Sequence, residues 1–259
     1  MTNKTFMIVL LAFAFSAGCG TTPSPVATDV TRPPANRSVP TLAAKTNTEV
    51  GTGTESPITG VDVSHWQGAV DFAKIKAAGK SYVFVKATLG DTEFDANYTN
   101  NMKNARAAGL AAGSYHFYLT DDTPQAQFAN YSSHVVLEPG DLPPVIDIEK
   151  LSHNTLPNLA ADLKLFLNAV QEHYGLKPIL YSGETFANEY LEEFAPYPLW
   201  IAEYNKDKRP VLPKGWTHWT FWQHAQNGTV EGVKGPVDLD RFYGNQQQFQ
   251  ALLLQPRKP

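Results

Sequence analysis

From Ile58 onward, short runs rich in β-branched and aromatic residues alternate with segments whose apolar positions recur at helical spacing. The β-like runs are Ile58–Val63, Tyr82–Lys86, Ala111–Phe117, Pro144–Ile148, Pro178–Tyr181, Pro198–Ala202, His218–Gln223 and Val237–Leu239. Helical patterns separate the earlier ones. Phe72, Ile75 and Ala78 fit one short helix, and Tyr98, Met102 and Ala105 fit another. Phe128, Tyr131 and Val135 follow Pro124, a residue suited to a first helical turn. The clearest helix runs from about Pro157 to Tyr174. Leu156, Leu159, Leu163, Phe166, Leu167 and Val170 share one face there, and Gly175 can end it. After Trp200 the helical patterns fade. Strands alternating with helices imply βα units and a parallel sheet. The predicted fold is α/β: a single TIM-like β/α barrel with irregular, helix-poor last strands.

The region ahead of Ile58 has a different texture. Lys4 precedes the apolar run Phe6–Phe15, which is shorter than the roughly 20 residues a membrane-spanning helix needs. Small residues follow as Ser16-Ala17-Gly18-Cys19, the order of a secretory signal peptide. Cys19, the one cysteine of the chain, stands directly after Ala-Gly as in a bacterial lipobox, with Ser16 in place of the usual leucine. That likeness implies cleavage before Cys19 and lipid on its thiol; an ordinary signal peptide with an incidental cysteine is the alternative. The stretch to about Ser56 is rich in Thr, Pro, Ser, Ala and Asn and nearly free of large apolar residues, which describes a disordered tether. The expected organisation is a signal peptide over 1–18, a lipid-anchored linker over 19–56 and a barrel domain over 57–259. The expected product is an exported, membrane-anchored lipoprotein, facing the periplasm or the cell exterior. A single cysteine excludes an intrachain disulfide and a metal site built on several thiolates. A net charge of -4 carries no nucleic-acid footprint. No metal, cofactor or nucleic-acid partner is expected, the membrane is met only through the anchor, and the domain is expected to be a monomer.

In a parallel barrel the chemistry lies at the C-terminal strand ends. Those ends carry Asp62, Lys86, His116, Asp147 with Glu149, Tyr181, Glu203, Gln223, and Asp238 with Asp240. The fourth strand is the sharpest signal. Its side chains alternate, so Val145, Asp147 and Glu149 share one side while Ile146 and Ile148 face covering helices. Each ionised neighbour disfavours ionisation of the other, so one carboxyl is pushed toward the protonated form a general acid needs. The competing explanation is a pair satisfied by hydrogen bonds or by a buried Lys or Arg. Asp62 is either a second catalytic carboxylate or an anchor for the loop beginning at Ser64, and Asp238 and Asp240 are open to structural roles. Trp66, Tyr115, Phe117, Tyr118, Tyr181, Trp200, Tyr204, Trp219 and Trp222 cluster near strand ends. They serve as walls for sugar rings or as core.

Eight segments occur in an order that resembles glycoside hydrolase family 25, the Chalaropsis-type muramidases. They are Gly60-Val61-Asp62-Val63-Ser64-His65-Trp66-Gln67, Phe84-Val85-Lys86-Ala87-Thr88, Gly113-Ser114-Tyr115-His116-Phe117, Val145-Ile146-Asp147-Ile148-Glu149, Tyr181-Ser182, Leu199-Trp200-Ile201-Ala202-Glu203-Tyr204, Trp222-Gln223 and Val237-Asp238-Leu239-Asp240-Arg241-Phe242. The resemblance implies cleavage of the β-1,4 bond between N-acetylmuramic acid and N-acetylglucosamine in peptidoglycan glycan strands. It implies Glu149 as proton donor, with Asp147 beside it, Asp62 as the first-strand carboxylate and Asp238 as the C-terminal one. Asp238, Tyr181, Tyr115, Trp200, Gln223 and Lys86 are expected to bind substrate. Leu89, where an acidic or amide residue is expected, and Asp240, where Asn is common, depart from the pattern. Two routes stay open: attack by Asp62 or Asp147, or attack by the substrate's own 2-acetamido oxygen with Asp147 orienting it. A non-catalytic wall-binding module and a glycosidase of another amino-sugar polymer are the competing functions.

Overall fold

The computed structural model describes residues 56–204 and 209–256. The expected leader, Cys19 and nearly all of the linker lie outside the described residues. Nine strands form one sheet: β1 Thr59–Val63, β2 Tyr82–Leu89, β3 Glu93–Phe94, β4 Ala111–Phe117, β5 Val145–Asp147, β6 Ile179–Gly183, β7 Leu199–Ala202, β8 Phe221–Gly228 and β9 Val237–Phe242. Eight of them close a barrel in the order β1-β2-β4-β5-β6-β7-β8-β9, with β9 returning to β1; β3 is a two-residue hairpin partner of β2. Pairing is parallel from β1 through β8. The last strand breaks the rule, because β9 runs antiparallel to both β8 and β1.

Period-two alternation sorts side chains into two layers. Residues facing outward, such as Val61, Val83, Val85, Ile146, Ile148, Leu180 and Ile201, pack against the helices. Inward residues fill the barrel: Tyr82, Phe84, Val145, Ile179, Trp200, Phe221 and Phe242 form a second cluster. The aromatic rings of β2 fit because their neighbours across the sheet are glycines. Gly60 pairs with Tyr82 and Gly113 with Phe84. A methyl added at either glycine would lie 2.3 Å and 2.6 Å, respectively, from the facing ring.

The helices are α1 Phe72–Ala77, α2 Tyr98–Ala107, α3 Pro124–His134, α4 Leu159–Tyr174, α5 Glu184–Tyr190 and α6 Gln246–Leu252. Pro124 opens α3 behind the Thr123 cap, and Gly175 ends α4 in the left-handed region at φ 67°, as the pattern predicted. Leu163, Phe166, Leu167 and Val170 are the buried face of α4. No helix connects β7 to β8 or β8 to β9 among the described residues, in keeping with the fading helical pattern. Two short helices escaped the sequence reading. α5 buries only Ala187 and α6 only Phe249, so neither shows an apolar stripe. α6 lies under the barrel, where Phe249 packs on Tyr82 and Phe242.

Candidate active site

Asp147 ends β5 and points into the barrel mouth in line with Val145, and Glu149 follows two residues later at the rim. The two differ in setting. Asp147 is 7% exposed, and its Oδ1 is buried without a hydrogen-bond partner. Burial, then the Glu149 charge, hold the Asp147 carboxyl well above the usual range, against the opposing pull of Lys86 and Lys150. Glu149 is exposed at the mouth. Loss of water around its carboxyl raises it more modestly, and Lys150, then Lys86, pull it back. The Lys86 and Lys150 ammonium groups lie 5.3 and 5.5 Å from the centre of the Phe117 ring, the residue paired with Asp147 across β4 and β5. Each is held by a ring face, and neither is within 4.0 Å of a carboxylate among the described residues. The paired acids are therefore not neutralised by a salt bridge, which removes the main structural explanation for them.

Asp62, near the end of β1, faces the same space from across the mouth. Its Oδ2 accepts from Gln223 Nε2 at 2.7 Å. Gln223 is 4% exposed and is itself fixed, its Oε1 accepting from Tyr181 Oη at 2.8 Å and from Tyr204 Oη. Strands β6 and β8, with Tyr204 just after β7, thus set the position of a carboxylate on β1. Burial first, then the charges of Asp240 and Asp238, raise Asp62 well above the usual range. Asp238 is paired with Asp62 across β1 and β9 and stands at the mouth beside it. Tyr115 lies half-buried among these acids, its phenol raised by burial and then by Asp62 and Asp147. An adjoining groove of about 460 Å³ opens beside Glu149, lined by Glu184, Phe186 and Glu189 of α5 and by Glu203 and Tyr204. Among the described residues no group of three or more His, Cys, Asp and Glu side chains is arranged to hold a metal ion.

The structure thus brings Asp62, Lys86, Tyr115, Asp147, Glu149, Tyr181, Gln223 and Asp238 to one mouth. Trp200 lies elsewhere: it is 2% exposed, stacks on Phe84 at 4.3 Å and supports the floor from below, so it offers no face to a sugar. His116 leaves the mouth altogether. It points outward, stacked on Phe166 of α4 at 5.0 Å and bonded to Thr88 and Gln127, and burial lowers it to about 4. Trp222 is also on the outer face, beside Trp219 and under Arg241. His65 is held by Asp95 at 2.8 Å, next to Trp66, whose ring is 80% exposed at the rim. Lys150, Glu184 and Glu189 were not foreseen as site residues. Lys150 sits one position past the acid pair, and the two glutamates lie on the helix that lacked a pattern.

Residues 61–233 match the family model described as glycosyl hydrolases family 25. The chain is 34% identical over 202 residues to the uncharacterized protein YegX of Escherichia coli K12, covering 76% of this chain and 73% of that one. It is 31% identical over 220 residues to lysozyme M1 of Streptomyces globisporus, covering 78% of this chain and 74% of that one. Among solved structures, the bacterial lysozyme of Streptomyces coelicolor superposes with a TM-score of 0.72 at 29% identity, over 76% of this chain and 97% of the other.

Proposed function

Because the chain belongs to glycosyl hydrolases family 25, we propose that it is a peptidoglycan muramidase, hydrolysing the β-1,4 bond between N-acetylmuramic acid and N-acetylglucosamine. The observation that carries this reading is the unequal pair at the end of β5: an open Glu149 with a raised carboxyl beside a buried Asp147 that lacks a donor. Glu149 is the general acid. Burial raises its carboxyl, the direction a general acid needs, and it gives its proton to the leaving glycosidic oxygen. It then takes a proton from the incoming water.

Asp147 orients the nucleophile. Residues two apart on one strand lie roughly 6–7 Å apart at their bases, so Asp147 and Glu149 work from the same side of the bond, whereas a classical nucleophile and acid flank it. Asp147 Oδ1 is an acceptor without a donor, and the N–H of a 2-acetamido group supplies one. That bond pushes the acetamido oxygen toward the anomeric carbon, a substrate-assisted route. Asp62, opposite and fixed by Gln223, stabilises the positive charge that develops on the ring. Tyr115, Lys86 and Asp238 contact the sugars at the mouth. The N-terminal region, read as leader, lipidated Cys19 and tether, delivers a monomeric domain to the wall from a membrane.

The test is release of muropeptides by the purified protein, identified by mass spectrometry, with Glu149→Gln as the control. Loss of a general acid costs about 10²–10⁴-fold, with circular dichroism unchanged. Reducing ends on muramic acid support the reading. Turnover of chitin but not of peptidoglycan, or equal release by Glu149→Gln, would overturn it.

A further inference from the structure

The mechanism above gives Lys150 no part, yet Lys150 and Lys86 bring two positive charges to an otherwise acidic mouth. Strand order sets their places. β4 lies between β2 and β5, and Phe117 ends β4. Lys86 reaches the Phe117 ring from β2, with its Nζ 5.3 Å from the ring centre, and Lys150 reaches it from just beyond β5, at 5.5 Å. Both ammonium groups therefore gather at the last residue of β4, one from each neighbouring strand. Among the described residues neither forms an ion pair within 4.0 Å, although Asp147 and Glu149 are near enough to feel both charges. A ring face attracts an ammonium group through its quadrupole without neutralising it. Both charges stay available to an anion arriving from solution.

The rest of the mouth turns anions away. Asp62 and Asp238 occupy β1 and β9, and the groove beyond Glu149 is walled by Glu184, Glu189 and Glu203. An anionic substituent is repelled from these flanks and admitted only on the arc from β2 to β5. The register indicates which substituent that is. Asp147 is paired with Phe117 across β5 and β4, so the lysines stand beside Asp147, one strand away. In the mechanism above Asp147 receives the acetamido N–H, and that group is carried on ring carbon C2. The next carbon, C3, carries a lactyl ether in muramic acid and a plain hydroxyl in N-acetylglucosamine. The lactyl group is thus the neighbour of the group that Asp147 holds. It ends in a carboxylate when no peptide is attached and in a neutral amide when one is.

We propose that Lys86 and Lys150 form a carboxylate-binding site for the lactyl group of the muramic acid held over Asp147, so that the enzyme favours glycan strands whose lactyl groups carry no peptide. The proposal rests on the muramidase reading and on Asp147 as the acetamido partner. Two ammonium groups reward a full negative charge, whereas a lactyl amide offers them only a neutral carbonyl acceptor. The lysines act on substrate choice and take no part in the proton transfer. The class of reaction that supplies the favoured substrate is hydrolysis of the lactyl amide. In that step water adds its oxygen to the carbonyl carbon, the C–N bond breaks, and the peptide leaves as an amine that keeps a proton.

The test is calorimetric titration of the full-length Glu149→Gln protein with tetrasaccharides of alternating N-acetylglucosamine and N-acetylmuramic acid. Their lactyl groups are presented as the free acid, as the methylamide, or extended by L-alanyl-D-glutamate. The titrations are repeated with Lys150→Gln and Lys150→Arg added, and wild-type cleavage of the free acid is followed alongside. An exposed ion pair is worth about 3-fold in affinity, so two of them should make the free acid bind about 10-fold tighter than the methylamide. Lys150→Gln should cut that preference to about 3-fold, Lys150→Arg should keep it, and added salt should erode it. Equal affinity for acid and methylamide, or a preference untouched by Lys150→Gln, would overturn the proposal. So would equally tight binding of the peptide-bearing sugar, which would put the peptide's own carboxylates in the site. Binding is read without turnover, so the two readings fail differently. Tight, acid-selective binding with no wild-type cleavage sinks the muramidase reading alone, unselective binding with cleavage sinks this proposal alone, and no binding of any sugar sinks both.

Discussion

Gln223→Leu tests whether Asp62 works as a fixed anion. The side chains are similar in size, but Leu removes the 2.7 Å donor to Asp62 Oδ2 and the acceptor for the Tyr181 phenol. A hydrogen bond to a charged group is worth about 1.5–3 kcal/mol. At 1.36 kcal/mol per unit, its loss raises the Asp62 pKa by about 1–2 units. In the proposed mechanism Asp62 acts as an anion, so the acidic limb of the pH–rate profile should move up by that amount. Rates below the limb should fall about 10–100-fold, while rates on the alkaline side change less. Stability should drop too. Tyr181 is 8% exposed, so its hydroxyl is left unpaired at about 1–3 kcal/mol, whereas Tyr204 is 44% exposed and can turn to water. For a domain of this size that lowers the thermal midpoint by roughly 2–12 °C. The profile is measured by clearing of a cell-wall suspension, and the midpoint by calorimetry. A folded Gln223→Leu protein whose acidic limb does not move would refute an ionised, Gln223-supported Asp62.

Two other perturbations probe the same frame. Lys150 is the foremost charge lowering Glu149, so Lys150→Gln should move the alkaline limb to higher pH, where Gln223→Leu moves the acidic one; a fixed alkaline limb would remove Glu149 as the acid. Gly60→Ala sets a methyl 2.3–2.6 Å from three Tyr82 ring carbons. That ring is hemmed in by Phe84, Phe221 and Phe249. Overpacking of this sort costs about 1–3 kcal/mol, read by urea unfolding; an unchanged midpoint would mean the floor yields freely.

Much of this arrangement was legible because it depends on short-range periodicity. The Asp147–Glu149 pair needs only the strand's own alternation, and α4 announces itself through four buried apolar positions and Gly175. The same alternation places His116 outside, since its neighbours Tyr115 and Phe117 face in, yet a polar residue at a strand end invites assignment to the mouth. Trp200 shows the converse error: its inward direction was right, but depth along the strand decides whether a ring meets substrate or core, and depth depends on register with β6 and β8. The helix α6 carries a local signal in the Asn245 and Gln248 capping box, but a single buried phenylalanine gives no periodicity to weigh.

The acids of β9 show where sequence order misleads most. In a strand parallel to β1, a later residue lies nearer the mouth, and Asp240 would be the outer acid of the pair. The antiparallel course of β9 inverts this: Asp238 meets Asp62 at the mouth, and Asp240 descends to the level of Gly60. One reversal of chain direction therefore turns two similar-looking aspartates into an open carboxylate at the mouth and a sealed one beneath it. Burial holds the sealed carboxyl well above the usual range and raises the open one as well, though less. Reversing the last strand produces this contrast within one carboxyl cluster, because it stacks the acids by depth and so by access to water.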